Sequence, residues 1–372
     1  MNGAPRCCGD SQYDQSMHLR IGSRGSQLAL WQARHIAATL RSLGHTAEIV
    51  IIRTTGDRLQ DPAFAAAHPV TPELDGKGIF IKEIEQALAE KSIDLAVHSL
   101  KDLPTKLDAQ FTLAAIPERA DPSDALLCME WSQLHTLPDN SRVGTSSPRR
   151  VAQLLSHRPD LQFVSIRGNI DTRIRKLREG QCDALVLASA GLDRLGTRVL
   201  AAVELDPAHP EHGREPHMEC VTHAGHEHHE EDEVLADPSG HADWIRQRFT
   251  PDILCPAPGQ GALAIETRAD DTQTIAAIRP IDHAETRYAV EAERALLHEL
   301  GGGCSLPVGA LCTGGAQGAV LYATVTAPDG EQLVTVELLA ESGESAESLG
   351  VRAANDLVAR GARELLDVEV AI

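Results

Sequence analysis

Between residues 149 and 178, Arg149, Arg150, Arg158, Arg167, Arg173, Arg175, Lys176 and Arg178 face only Asp160 and Asp171, a net +6 inside a chain of net charge −20. Ser147 is a natural helix cap and Pro148 suits a first helical position. Arg149 and Arg150 then fall in a first turn whose backbone N–H groups already favour an anion. Arginine there opposes the helix dipole, so stability alone would prefer Asp or Glu. Arg167 ends a strand beside Gly168, and Arg173 in the first turn of the next helix repeats the arrangement. Guanidinium forks pair bidentately with carboxylates and phosphates, so these arginines are expected to converge on such groups. Arg158, Arg175, Lys176 and Arg178 read as solvated helix surface.

Arg24 and Ser26 stand at a strand-to-helix junction, where α/β folds bind ligands, and Lys101 and Asp102 follow the strand LAVHSL at its carboxyl end. Asp102 is suited to hold a cationic intermediate or an N–H group; taken alone, the two are equally an ordinary surface pair before the turn at Pro104. Cys304 lies in GGGCSLPVG, where glycines could present a thiol to a cleft, although a free cysteine is more often a small buried hydrophobe. The other seven cysteines are scattered without the density of a disulfide-stapled domain and read as thiols.

These residues need elements to hold them, and the chain from residue 18 alternates short β-rich runs with helical patterns, the rhythm of an α/β fold. HLRIGS (18–23) reads as a strand, followed by a helix capped by Ser26 and ended by Gly44; AEIVIIRTT (47–55), a helix within GKGIFIKEIEQALAEKS, IDLAVHSL (93–100) and FTLAAIP complete a first lobe. A second lobe repeats the rhythm through DPSDALLCM, RVGTSS, a helix from Pro148 to about His157, QFVSIR, a helix from about Ile170 to Arg178, and DALVLAS. The expected fold is α/β, with two periplasmic-binding-protein-like lobes joined by a hinge and a smaller C-terminal α+β domain. Its expected parts are a disordered extension at 1–17, a first domain of 18–117 plus 251–279, a second of 118–202, an insertion at 203–250 and a third domain of 280–372. No internal repeat is legible.

The insertion carries eight of the 17 histidines, with 12 acidic and 3 basic residues. Its His and Cys spacing matches no defined metal site, so an acidic loop is expected there, with no metal assigned. Net charge −20 and 11 aromatics in 372 residues argue against a nucleic-acid partner. No run approaches the roughly 18 apolar residues needed to cross a bilayer, and the first residues lack a signal-peptide core, so no membrane partner and a cytoplasmic location are expected.

LRIGSRGSQLALWQA, IIRTTGD, GKGIFIKEIE, LAVHSLKDLPT, VGTSSPRR, IRGNIDTR, LASAGLDRL, PGQGALAIE and GGGCSLPVGA follow one another in the order found in the porphobilinogen deaminase (hydroxymethylbilane synthase) family, which the chain resembles over about 18–202 and 251–372. The resemblance implies a dipyrromethane cofactor, made from the substrate and attached by a thioether to the GGC cysteine, here Cys304. It implies condensation of four porphobilinogen molecules with release of ammonia, and hydrolysis to hydroxymethylbilane. Matched motif by motif, Asp102 is the catalytic aspartate. Lys101, Thr145, Ser146, Ser147, Arg149, Arg150 and Arg173 are cofactor contacts, and Arg24, Ser26, Lys77, Phe80, Arg167 and Arg194 are substrate contacts. The family further suggests a monomer. SSPRR departs from the family with Pro148 where leucine is frequent, and no family role transfers to the insertion. A second reading, a two-lobed binding protein or sensor for an anionic metabolite, would use the same lobes and cationic cleft but not the GGGCSLP loop.

Overall fold

The computed structural model describes residues 16–55, 81–196, 244–302 and 306–366. The chain begins with β1 (His18–Ser23), α1 (Gln27–Ser42), β2 (Thr46–Ile51), α2 (Lys82–Ala89), β3 (Leu95–Ser99) and β4 (Phe111–Ala115). It crosses to β5 (Asp124–Leu127), β6 (Arg142–Gly144), α3 (Pro148–His157), β7 (Gln162–Val164), α4 (Ile170–Arg178), β8 (Ala184–Ala188), α5 (Ser189–Leu195), β9 (Ile245–Arg248) and α6 (Pro251–Leu254). It then returns to β10 (Leu263–Arg268) and α7 (Thr272–Ile278). A last unit holds α8 (Ala284–Glu299), β11 (Val308–Thr313), β12 (Val320–Thr326), β13 (Leu333–Leu339), α9 (Ala346–Ala359) and α10 (Ala362–Leu366).

The two five-stranded sheets share one plan. The first is ordered β2-β1-β3-β10-β4 and the second β7-β6-β8-β5-β9. In each, three parallel strands meet an antiparallel fourth, and that fourth strand is the one the chain enters on crossing from the other lobe. β10 is buried along its whole length, as expected of an inner strand covered on both faces. Crossing segments 116–123 and 255–262 run side by side between the lobes, so the chain passes twice through one junction.

Local chemistry explains the elements nearest the site. Ser26 caps α1, its hydroxyl accepting from the Ala29 N–H, and the face Ala33, Ile36, Ala37 and Leu40 is fully buried. Ile36 and Leu40 together contribute about 3–6 kcal/mol of transfer free energy. Ser147 caps α3, with Pro148 at its first position. In the last unit, β11-β12-β13 form an antiparallel sheet backed by α8 and α9, with Leu296, Leu321, Val325, Leu349 and Leu357 in its core.

The boundary expected at residue 250 moves. β9 pairs antiparallel with β5, and Leu254 of α6 packs with Leu126, Val143 and Leu154. The described residues from Trp244 to Leu254 therefore belong to the second lobe rather than to the insertion or the first lobe. The sequence IRQR hid this strand: it sits at a sheet edge, short and charged, with no apolar alternation to announce it.

Candidate functional site

The parallel strands of both lobes end at one cleft of about 280 Å³. From the first lobe come Arg24 and Ser26 after β1, Ser99 at the end of β3, and Lys101 and Asp102 in the 3₁₀ turn that follows. From the second come Arg150, Gly168 to Asp171, Arg173, Leu187 and, from α5, Arg194 and Leu195. Placement beyond the carboxyl ends of the strands is the usual position for a ligand in such sheets. Arg194 also lies 5.9 Å over the Trp31 ring, which stacks on His35, so α5 of one lobe meets α1 of the other at the cleft edge.

Charge dominates this lining. Five cations, Arg24, Lys101, Arg150, Arg173 and Arg194, face two carboxylates, Asp102 and Asp171. Burial pushes Lys101 down to about 8, with Arg150 and Arg149 acting the same way against Asp102 and Asp124. Burial likewise lowers Arg173 to about 10, aided by Arg150, and Arg194 to about 10. Lys101, Arg173 and Arg194 are thus held where their charged forms are disfavoured, the electrostatic condition of a receptor for an incoming anion.

The structure gathers Arg24, Ser26, Lys101, Asp102, Arg150, Arg173 and Arg194 on the cleft and puts the other described site expectations elsewhere. Arg149, 4% exposed, is held inside the second lobe, where it donates to Asp124 Oδ2 at 2.7 Å and to the Cys255 carbonyl. Thr145 is buried and accepts from the Ser147 N–H, Ser147 caps α3, and Ser146 donates to the Ile166 carbonyl. Arg167 is exposed outside the cleft lining. Lys77, Phe80 and Cys304 lie outside the described residues, as do all the histidines of the insertion, and among the described residues no His, Cys, Asp or Glu cluster is placed to hold a metal.

Arg158, expected as plain surface, instead clamps the carbonyls of Leu134, Leu137 and Pro138 while pairing with Asp160 at 2.7 Å. The four described free cysteines, Cys128, Cys182, Cys255 and Cys312, are buried; burial raises Cys182 to about 11 and Cys312 to about 12, which leaves them inert as nucleophiles.

Two buried residues behind the cleft lining went unread in the sequence. Asp124, fully buried, takes Arg149 on one oxygen and Arg150 on the other, the latter through Nη2 at 2.7 Å and Nε at 3.1 Å. Gln260 lies between them and Lys101. Their signals were faint: an acidic residue opening a fully buried strand, and a glutamine between two glycines.

A family model described as "Porphobilinogen deaminase, dipyromethane cofactor binding domain" matches residues 19–214, and one described as "Porphobilinogen deaminase, C-terminal domain" matches residues 287–359. Porphobilinogen deaminase of Brevibacillus brevis is 39% identical over 350 residues, covering 93% of this chain and 96% of the relative; that of Nitratidesulfovibrio vulgaris is 41% identical over 355 residues, covering 94% and 96%. The chain belongs to the porphobilinogen deaminase family. It is accordingly a transferase with a dipyrromethane cofactor-binding domain. Among solved structures, the methionine-binding protein MetQ matches with a TM-score of 0.38 at 11% identity, covering 71% of this chain and 89% of MetQ; the two-lobed fold rests on the strand order above, not on that score.

The described residues fit a dipyrromethane. Two pyrroles bearing an acetate and a propionate each present four carboxylates to a cleft with three more cations than carboxylates, while Leu28, Ile170, Leu187 and Leu195 offer apolar wall to the rings. Gly302 packs beside Thr105, three residues past Asp102: a Cβ at Gly302 would lie 3.1 Å from Thr105 Oγ1. Two residues, at most about 7 Å of chain, then lead to Cys304.

Proposed function

We propose that this cleft condenses four porphobilinogen molecules head to tail, releasing ammonia at each addition, and hydrolyses the finished chain as hydroxymethylbilane. The observation that carries the reading is the surplus of half-desolvated cations around a single 3₁₀ turn bearing Asp102. When bound through Cys304, the dipyrromethane supplies the anchor and the nucleophilic pyrrole carbon from which the chain grows. Lys101, Arg150 and Arg173 take its acetates and propionates and Arg24, Ser26 and Arg194 those of the entering ring, while Lys77 and Phe80 are further substrate contacts by their match to the family motif. Arg167, exposed beside Gly168, meets carboxylates of the longer chain.

Asp102 accepts a hydrogen bond from the substrate pyrrole N–H. As the aminomethyl C–N bond breaks and ammonia leaves, the same carboxylate offsets the positive charge that spreads into the ring. Charge placed in advance against developing charge is commonly the largest contribution to catalysis. Thr145, Ser146, Ser147 and Arg149 serve the cofactor indirectly, by fixing the turn and helix start that present Arg150. The reading makes the protein a cytoplasmic monomer acting on a small molecule, without nucleic-acid or membrane partners. Its net charge of −20 supports the first exclusion. Among the described residues, no helix is long and apolar enough to cross a membrane.

The test is the intact mass of the denatured protein beside Cys304→Ser. A mass excess equal to dipyrromethane in the parent, lost in the variant, is expected, because a thioether survives denaturation. An unmodified parent that forms neither adduct nor product with porphobilinogen would overturn the reading in favour of a binding protein. Asp102→Asn is expected to keep its melting temperature and lose roughly 10²-fold or more in turnover.

A further inference from the structure

We infer that Gln260 is a positioning residue for the condensation, holding the Lys101 ammonium at the cleft and linking it to the Asp124 ion pair of the other lobe. The inference rests on the reading of the cleft given above. Gln260 is 1% exposed and its amide is used at both ends. Its Oε1 accepts from Lys101 Nζ at 3.1 Å, and its Nε2 donates to the Pro122 carbonyl at 2.8 Å and to Asp124 Oδ1 at 3.0 Å. A carboxamide offers a cation an acceptor and a carboxylate a donor from one neutral group. A carboxylate there would repel Asp124, and an aliphatic side chain would leave both partners short.

The backbone is built to aim this side chain. Gly259 and Gly261, on either side, have φ of +75° and +88°, and a Cβ at Gly261 would stand 2.5 Å from the Ala120 carbonyl oxygen of the adjoining crossing segment. Gln260, on one crossing, is therefore pressed against the other. Its own carbonyl accepts from Arg119 Nε at 2.8 Å; Arg119 pairs with buried Glu293 of α8 at 2.6 Å, and Glu293 takes the Gly259 N–H at 2.7 Å. The first lobe's Lys101, the second lobe's Asp124 and the third unit's Glu293 all converge on residues 259–260.

The chemical consequence falls on Lys101. Burial and the neighbouring arginines disfavour its charge, and the hydrogen bond to Gln260 favours it. Without the amide, Lys101 loses its proton more readily, and the cleft holds carboxylates less well across the upper part of the working pH range.

Gln260→Met tests this in the full-length protein. Reductive methylation requires the neutral amine, so the labelling rate of Lys101, read by peptide mass spectrometry against pH, reports its protonation without reference to turnover. The midpoint is expected to fall by about one pH unit in the variant, and the basic limb of kcat/KM to fall with it. A folded variant with an unmoved midpoint would overturn the inference whatever its activity. If Gln260→Met does not fold, Gln260→Asn, which withdraws the amide from Lys101 but keeps its polarity, carries the same expectation. Failure of both to fold also overturns it, since the residue would then serve the fold rather than Lys101. A moved midpoint in a protein that never turns over porphobilinogen would spare this coupling and sink the functional reading; the reverse pattern would do the opposite.

Discussion

Arg150 and Arg173 come from the same basic island and both line the cleft, yet they are held in opposite ways. Arg150, with Arg149 behind it, is paired to Asp124 in a site from which solvent is excluded. Burial alone would raise Asp124, but the two guanidiniums outweigh it and hold the carboxyl at about 2. Arg173 and Arg194 form no ion pair among the described residues; they donate instead to the Gly168 and Gly261 carbonyls at 2.7 and 2.6 Å. A carbonyl orients a guanidinium without neutralising it. Arg149 and Arg150 thus bring a bonded counter-charge, so Arg150 meets a ligand carboxylate with its charge already partly compensated, whereas Arg173 and Arg194 feel Asp102 and Asp193 only at a distance.

Removing the counter-charge should break the first group hardest. Asp124→Asn leaves two buried guanidiniums without an anion and is expected to cost roughly 3–5 kcal/mol, read as the drop in the urea unfolding midpoint. Acid provides the same contrast without mutation. Asp124 has its carboxyl lowered from 3.8 to about 2 in the folded chain, so the stability it contributes is fully present above about pH 4 and disappears as pH falls toward 2. Urea midpoints between about pH 5 and pH 2.5 should fall more steeply in the parent than in Asp124→Asn. Equal slopes would mean that the buried trio does not titrate as a unit.

The cleft cations should respond in the other direction. Lys101 binds its proton less tightly folded, at about 8, than at its ordinary 10.5, so its contribution to stability rises with pH between those values and is wholly unfavourable below about 8. Lys101→Met is therefore expected to raise the stability of the cofactor-free chain at pH 7, by roughly 1 kcal/mol after allowance for partial exposure and for the partner lost by Gln260. The same change should lower turnover at least about tenfold, because a carboxylate contact is gone. A destabilised Lys101→Met would place Lys101 with the structural group.

Local sequence signals reached most of this architecture. Ser147 and Pro148 marked the start of α3, the alternating rhythm of the second lobe placed α4 at about Ile170 to Arg178, and both helices run over the residues expected. What escaped notice was short or non-local. α5 is only seven residues long, β11 follows a glycine loop that offers no strand pattern, and the common plan of the two sheets lies in pairing order alone. The first-turn position of Arg149 was legible, but not that its side chain turns inward to a carboxylate 25 residues upstream. Gln260 meets Lys101 across 159 residues and Asp124 across 136, a convergence that no spacing rule contains.

The smallest expected effect asks whether the contrast belongs to particular side chains or to the island's total charge. Arg175 is two residues from Arg173 but exposed, 3.8 Å from Glu179 one helical turn on. Exposed pairs of this kind contribute about 0.3–0.5 kcal/mol, so Arg175→Ala should shift stability by no more than about 0.5 kcal/mol and leave kcat/KM unchanged. Arg173→Ala, which removes the same formal charge from the cleft lining, should reduce kcat/KM at all salt concentrations, since a partly desolvated contact is poorly screened. Were Arg175→Ala to slow the enzyme at low salt and recover at high salt, the island would be acting at a distance by steering anionic substrate. The division between paired and unpaired cations would then describe the fold but not the rate.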